Sequence, residues 1–279
     1  MRGAVSGAHG RVAAVIAHAH ATWLDLLAAD RGNPLEVEVR RPRPDLVATI
    51  AAAVPEVVWM HHVAGIGPGD APLVADLAAW AAEHGCPLRF EVAPAPDFAP
   101  LGRALVDAGA VPSSFADVHF RWLDGSPVPV SAPGLEVRLV EPGSPDAERF
   151  ANVLLEGHEV TPDAHAAHWR AAARFAEQPG YRCYLATVED VAAGGGVLTI
   201  DEPSRTAYLA NASTRPTMRR RGVQQALVAR RLADAAAAGC DLAVTLTEPE
   251  GASHRTMERT GFQVLHTCTN WQVPAPHPP

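Results

Sequence analysis

Thr214 to Leu232 reads T-R-P-T-M-R-R-R-G-V-Q-Q-A-L-V-A-R-R-L, and what this stretch is decides how the rest of the chain is placed. The run before it, Ala207-Tyr208-Leu209-Ala210, has the apolar character of a strand. Pro216 ends that strand because it has no N–H to give to a ladder. Three arginines and Gly222 follow, and then Val223, Ala226, Leu227 and Arg230 to Leu232 recur at helical spacing. The order is strand, basic turn with one glycine, helix. The first turn of a helix carries N–H groups with no internal partner, and the aligned peptide dipoles make that end positive. A glycine there lets a bulky anion approach the backbone, and Arg219, Arg220 and Arg221 add formal charge. Such a turn suits a phosphate or pyrophosphate. The competing reading is a solvated basic turn before an ordinary helix, since short phosphate-loop patterns also arise by chance.

P-T-M-R-R-R-G-V-Q-Q-A-L resembles the acyl-CoA pyrophosphate loop of the GNAT superfamily of N-acyltransferases. That pattern is Arg or Gln, two residues, Gly, one residue, then Gly or Ala, with a proline three residues upstream. Arg219, Gly222 and Pro216 match it, while Gln224 stands where Gly or Ala is usual. Downstream, S-H-R-T-M-E-R-T-G-F (Ser253 to Phe262) is similar to the family's last helix and the Gly-Phe that leads into its final strand. The two motifs come in the family's order and spacing.

Composition excludes several classes. A chain of 279 residues with 48% hydrophobic content builds real cores in one large or two ordinary domains. No run approaches the roughly 20 apolar residues of a membrane span. A net charge of −8 argues against nucleic acid as the main partner. All 23 basic residues are arginine, which reflects composition rather than function. Cys86, Cys183, Cys240 and Cys268 are scattered with neither metal nor disulfide spacing, so free thiols in a reducing cytoplasm are expected. The 13 histidines form no recognisable metal-ligand spacing, and no metal is expected.

The first half reads as a helix over 11–31, a strand over Leu35–Arg40, a strand over Val54–Val63, a helix over Leu73–His84, a strand over Pro87–Val92, a helix over Phe98–Ala108 and a strand over Phe115–Leu123. Glu83 to Ala110 and Ala237 to Phe262 then share one grammar of helix, Gly-Cys, strand, loop, short helix, Gly, strand. Their glycine spacings nearly match. The chain therefore reads as two copies of one fold. In the first copy, H-H-V-A-G-I-G-P-G-D (His61 to Asp70) stands where the second has its arginines, and Asp70 would repel phosphate.

The second half reads as a Pro-rich linker, a strand over Leu135–Val140, helices over Asp146–Glu156 and Pro162–Phe175, strands over Tyr181–Thr187 and Gly196–Ile200 around a turn at Glu189–Gly195, and a strand over Arg205–Ser213. The long helix, a strand over Leu242–Thr247 and a last strand over Gln263–Trp271 complete it. The expected organisation is α/β with tandem GNAT-like domains, each a mixed, mostly antiparallel central sheet flanked by helices. A degenerate copy spans 1–123, a linker 124–134 and a catalytic domain 135–273.

The resemblance implies an acyl-CoA co-substrate, most simply acetyl-CoA. Its pantetheine arm would lie in the gap where two neighbouring strands splay apart and bond to the backbone of Ala212, Ser213 and Thr214. Arg219, Arg220, Arg221, Gly222, Val223, Gln224 and Gln225 would hold the pyrophosphate. Ser253 would cap the last helix and approach the cofactor. The family's strand glutamate falls near Thr245 and its helical tyrosine at Met257, so neither usual acid–base group is present. Candidate replacements are Glu156, His158, Glu159, Asp163, His165 and His168 around the first helical connection, together with Asn211. Taken singly, each of the loop residues fits a solvated polar loop better; as a group they point to the acceptor pocket. The implied acceptor is a primary amine on a small molecule. Two alternatives stand beside it: an acyl carrier protein as donor, and a CoA-binding protein without catalysis.

Overall fold

The structure, a computed structural model, describes residues 11–12, 15–16, 19, 28–29, 32–126, 128, 134–159, 172–178 and 180–276. The helices expected at 11–31 and 162–175 and the linker at 124–134 lie largely outside these residues. The chain forms two compact units, 1–118 with 264–279 and 119–263, so the last strand falls in the first unit.

In the first unit, β1 (Val37–Arg43), β2 (Leu46–Ala51), β3 (His62–Ala64), β4 (Leu88–Val92), β11 (Gln263–Val273) and the start of β5 (Val111–Trp122) lie in the sheet order β1-β2-β3-β4-β11-β5. From β1 to β11 along this order, pairing is antiparallel except between β3 and β4, which are parallel. The crossover between them is α1 (Leu73–Glu83), and α2 (Ala99–Asp107) follows β4. Leu46, Ile50, Val63, Trp80, Leu88, Phe90 and Leu101 meet in one core.

The strand expected at Val54–Val63 is instead a 3-10 turn at Val58–Met60 followed by the short β3. Pro55 interrupts ladder formation there. The strand that was missed, β2, is buried along its whole length, so it lacks the polar–apolar alternation that marks a half-buried strand.

In the second unit the sheet order is β10-β9-β8-β7-β6, built from β6 (Leu135–Leu139), β7 (Tyr181–Val188), β8 (Val191–Asp201), β9 (Thr206–Thr214) and β10 (Leu242–Thr247). Again the pairing is antiparallel apart from one junction, β9 with β10. The helix α3 (Pro145–Gly157) precedes β7, α4 (Val223–Ala237) joins β9 to β10, and α5 (Ala252–Arg259) follows β10. Val223, Leu227, Val228, Leu232, Leu198, Leu209, Met257 and Phe262 share the core. Among the described residues, no helix is long and apolar enough to cross a membrane.

The turn expected over Glu189–Gly195 is only Glu189–Asp190, both with positive φ (50° and 64°), as a tight hairpin between twisted strands requires. Gly194, Gly195 and Gly196 belong to β8. A Cβ on them would lie 2.5 Å from Val223, 3.0 Å from Phe150 and 3.0 Å from the Arg231 guanidinium, so these glycines serve close packing rather than a turn.

Candidate functional site

Three features of the second unit converge at the end of β9. The first is a fork in the sheet. β9 and β10 are in register only from Thr206–Leu242 to Tyr208–Val244, although β9 runs on to Thr214 and β10 to Thr247. Beyond that point β9 has no registered partner on its β10 side. Thr245 closes the crotch, its hydroxyl donating to the Leu209 carbonyl at 2.8 Å. The residue at the family's glutamate position is therefore a pin for the fork.

The second feature is a bulge on β9. Gly195 pairs with Ser213 and Val197 with Ala210, so Asn211 and Ala212 together face the single residue Gly196. Asn211 takes the left-handed region at φ 43°, which asparagine tolerates better than most residues. It is exposed. The bulge breaks the ladder beside the fork and turns the strand's backbone there.

The third feature is the turn into α4. Pro216–Met218 forms a 3-10 turn, Arg220 has φ 65° and Gly222, the N-cap of α4, has φ 79°. A side chain at Gly222 would be strained. Alternating left-handed residues aim successive N–H groups inward, the geometry of an anion-binding nest. No side chain caps α4, and its first turn holds no acidic residue. The first N–H groups of an α-helix have no partner within the helix itself. Arg219, Arg220 and Arg221 are exposed, Gly222, Gln224 and Gln225 are half-buried, and Val223 is buried in the core.

The end of α3 closes against this turn. A Cβ on Gly157 would lie 2.5 Å from Ser213 and 3.0 Å from the Thr214 nitrogen, so only glycine permits the approach. Ser213 donates its hydroxyl to the Val153 and Leu154 carbonyls at 3.1 and 3.3 Å, leaving its backbone as the part that can serve a ligand. Glu156 is engaged by Arg215, at 2.7 and 2.9 Å, and Arg215 also donates to the Ala192 carbonyl at 2.9 Å. Glu159 meets Arg219 at 3.1 Å. Arg220 and Arg221 have no ion pair among the described residues. His158 is exposed as a residue, while loss of hydration holds its pKa below the ordinary imidazole value. A neutral imidazole at neutral pH can accept a proton.

Ser253 does not cap α5. The N-cap is Gly251, without a side-chain hydrogen bond, and Ser253 stands exposed in the first helical turn. Met257 is buried in the core. Asp163, His165 and His168 lie outside the described residues. Ala212, Ser213, Thr214 and the turn from Arg219 to Gln225 come together along one continuous run from the fork to the helix start. The fork is the splay of neighbouring strands that the resemblance implies; sequence reasoning missed the bulge, whose only local trace is Asn211 among apolar strand residues.

The family model of the acetyltransferase (GNAT) family matches residues 148–262. This is a GNAT domain. No curated protein matches the chain. Among solved structures, the chain is similar to a tandem GNAT protein from the clavulanic acid biosynthesis pathway, at 18% identity over 93% of this chain and 96% of that one, with a TM-score of 0.62. A GCN5-related N-acetyltransferase from Kribbella flavida aligns at 19% identity over 95% and 96% of the two chains, TM-score 0.61. One from Sphaerobacter thermophilus aligns at 15% identity over 85% and 75%, TM-score 0.60. The fold class read from the sequence, tandem and GNAT-like with mostly antiparallel sheets, is the observed one. The family match lies within the second unit, and the likeness to solved structures shows the tandem fold.

Proposed function

We propose that the second unit binds acyl-CoA, acetyl-CoA in the simplest case, and transfers the acyl group to a primary amine of a small molecule. The observation that carries this reading is an uncapped helix start flanked by arginines, lying next to a sheet that forks. The diphosphate would take N–H groups of the turn from Arg220 to Gln225, with Arg219, Arg220 and Arg221 supplying charge. The pantetheine arm would lie along the unpaired edge of β9 at Ala212, Ser213 and Thr214. A backbone N–H of that edge would stabilise the oxyanion as the amine attacks.

In the transfer, the amine nitrogen bonds to the thioester carbon and the carbon–sulfur bond breaks. The ammonium form of the acceptor gives up two protons, one ending on sulfur and one released to solvent. His158 is the base we assign, since it is neutral, is exposed as a residue and stands at the end of α3, which Gly157 seats against β9. Glu156, held by Arg215, fits a clamp that fixes the end of α3 to the loop better than it fits a base. Because burial lowers the His158 pKa, its neutral form persists as pH falls through about 6.5. The acid limb of kcat/KM is expected below that value, and His158→Gln should remove the limb while lowering kcat by roughly 100-fold. A limb that persists unchanged in the variant assigns the base elsewhere.

The test of the function is a donor panel of acetyl-CoA, longer acyl-CoAs and acyl carrier protein, against a panel of small primary amines. Turnover with CoA thioesters is expected. Turnover with carrier-bound donors alone would make the arginines a grip for the carrier's surface, and CoA binding without turnover would make the site a binding site only.

A further inference from the structure

Arg231 is a buried charge that the site as described does not use. It projects from α4 towards the sheet, two turns beyond the helix start, and is only 1% exposed. Arginines that deep are nearly always paired with a carboxylate, because an uncompensated buried charge is costly. Among the described residues Arg231 has no ion pair. Its hydrogen bonds go to backbone carbonyls: Nε to Leu227 at 3.0 Å, and one terminal nitrogen to Val197 at 3.1 Å and Ala210 at 3.3 Å. Burial pushes its pKa down to about 10, which leaves it charged at neutral pH.

The two strand carbonyls identify what the side chain does. Val197 and Ala210 are register partners at the point where the β8–β9 ladder breaks. A bulge leaves a residue unpaired and disrupts the ladder, and buried carbonyls need donors. The guanidinium fork supplies several donors from one rigid plane, which a lysine cannot do. Opposite the bulge stands Gly196, where a Cβ would lie 3.0 Å from the guanidinium carbon and 3.1 Å from its nitrogen. The glycine leaves the space, the arginine fills it, and the bulge at Asn211 and Ala212 is held between them.

We propose that Arg231 is a positioning residue for acyl transfer: it fixes the β9 bulge, and with it the direction of the backbone N–H groups that face the fork. It also sets a permanent positive charge behind the strand on which the thioester oxygen becomes negative. A preorganised charge in a low-dielectric interior stabilises such an oxyanion more than it would in water. The proposal rests on the acyl-CoA reading given above.

The experiment compares wild type, Arg231→Lys, Arg231→Met and Gly196→Ala. Measured for each are the folded fraction by circular dichroism, the CoA dissociation constant by calorimetry, and kcat and KM for one amine of the panel. The expected result is a kcat per folded molecule lowered by roughly 100-fold in Arg231→Met, and by a lesser factor in Arg231→Lys. Gly196→Ala keeps the arginine but displaces it, and should also lower kcat. CoA affinity should fall by a smaller factor than kcat, because the diphosphate turn is untouched while the arm meets the bulge at Ala212. If Arg231→Met does not fold, the other two variants carry the test. An unchanged kcat per folded molecule in Arg231→Lys and Gly196→Ala, with an active wild type, overturns the proposal alone. A wild type that binds CoA but acylates no amine overturns the underlying reading and this proposal with it.

Discussion

The two units contain the same turn in two states. In each, a strand leads through a glycine-bearing turn into a crossover helix and then to a parallel strand: β3, α1 and β4 in the first unit, β9, α4 and β10 in the second. In the first unit the turn is satisfied from within. Asp70 accepts from the Gly67 N–H at 2.8 Å and also pairs with Arg43, whose charge it stabilises. The chain's own carboxylate thus sits where an anion would sit, neutralised by the chain's own arginine. In the second unit the equivalent turn holds three exposed arginines and has neither a cap nor an acid in the first helical turn. The first unit fills that place with its own side chain, whereas the second presents backbone and arginines there.

The largest break in this comparison is to give the second turn an acid of its own. Gly222→Asp adds a carboxylate where the diphosphate is expected and forces a side chain into φ 79°. We expect CoA affinity to fall by at least about 100-fold, roughly 3 kcal/mol. Unchanged affinity by calorimetry would remove the turn from the binding site.

The converse change empties the first turn. Asp70→Asn takes the charge from Arg43 and weakens the acceptor for the Gly67 N–H, which should cost about 1–3 kcal/mol of stability in a denaturant titration. CoA affinity should not move, since the described second-unit site makes no use of Asp70. A change in CoA affinity larger than the stability loss explains would mean that the first turn also binds the cofactor.

The smallest effect sharpens the contrast. Glu159 partly neutralises Arg219 at the mouth of the open turn, but the pair is exposed and its contribution is small. Glu159→Gln should strengthen CoA binding by about threefold at low salt, with the gain fading as salt rises. Weaker binding in the variant would assign Glu159 a supporting contact with the cofactor.

The kinship of the two units was legible because it is carried by local backbone chemistry. Each crossover helix and each following short helix ends on a left-handed glycine, Gly85, Gly109, Gly239 and Gly261, with the same pair of capping bonds. Gly85 and Cys86 donate to Ala82 and Ala81, and Gly239 and Cys240 donate to Ala236 and Ala235. Such motifs sit within a few residues and show directly in sequence. The order of strand, basic turn and helix was legible for the same reason.

What sequence did not reveal depends on residues far apart. β2 lies buried throughout and shows no alternation. The resemblance implies the fork, but not that Thr245 pins it by meeting the Leu209 carbonyl. Arg231 reads as one more arginine in a basic stretch until Gly196, on another strand, is seen to leave room for it. Ser253 was read as a cap because serine favours that position, yet the helix starts from Gly251 without one.

The central claim is that the bare amides at the start of α4 hold a diphosphate. Amide hydrogen exchange with and without CoA tests it most directly. Protection is predicted at Arg220 to Gln225, with Gly65 to Asp70 unchanged. Protection confined to other segments, or equal protection of both turns, would contradict it.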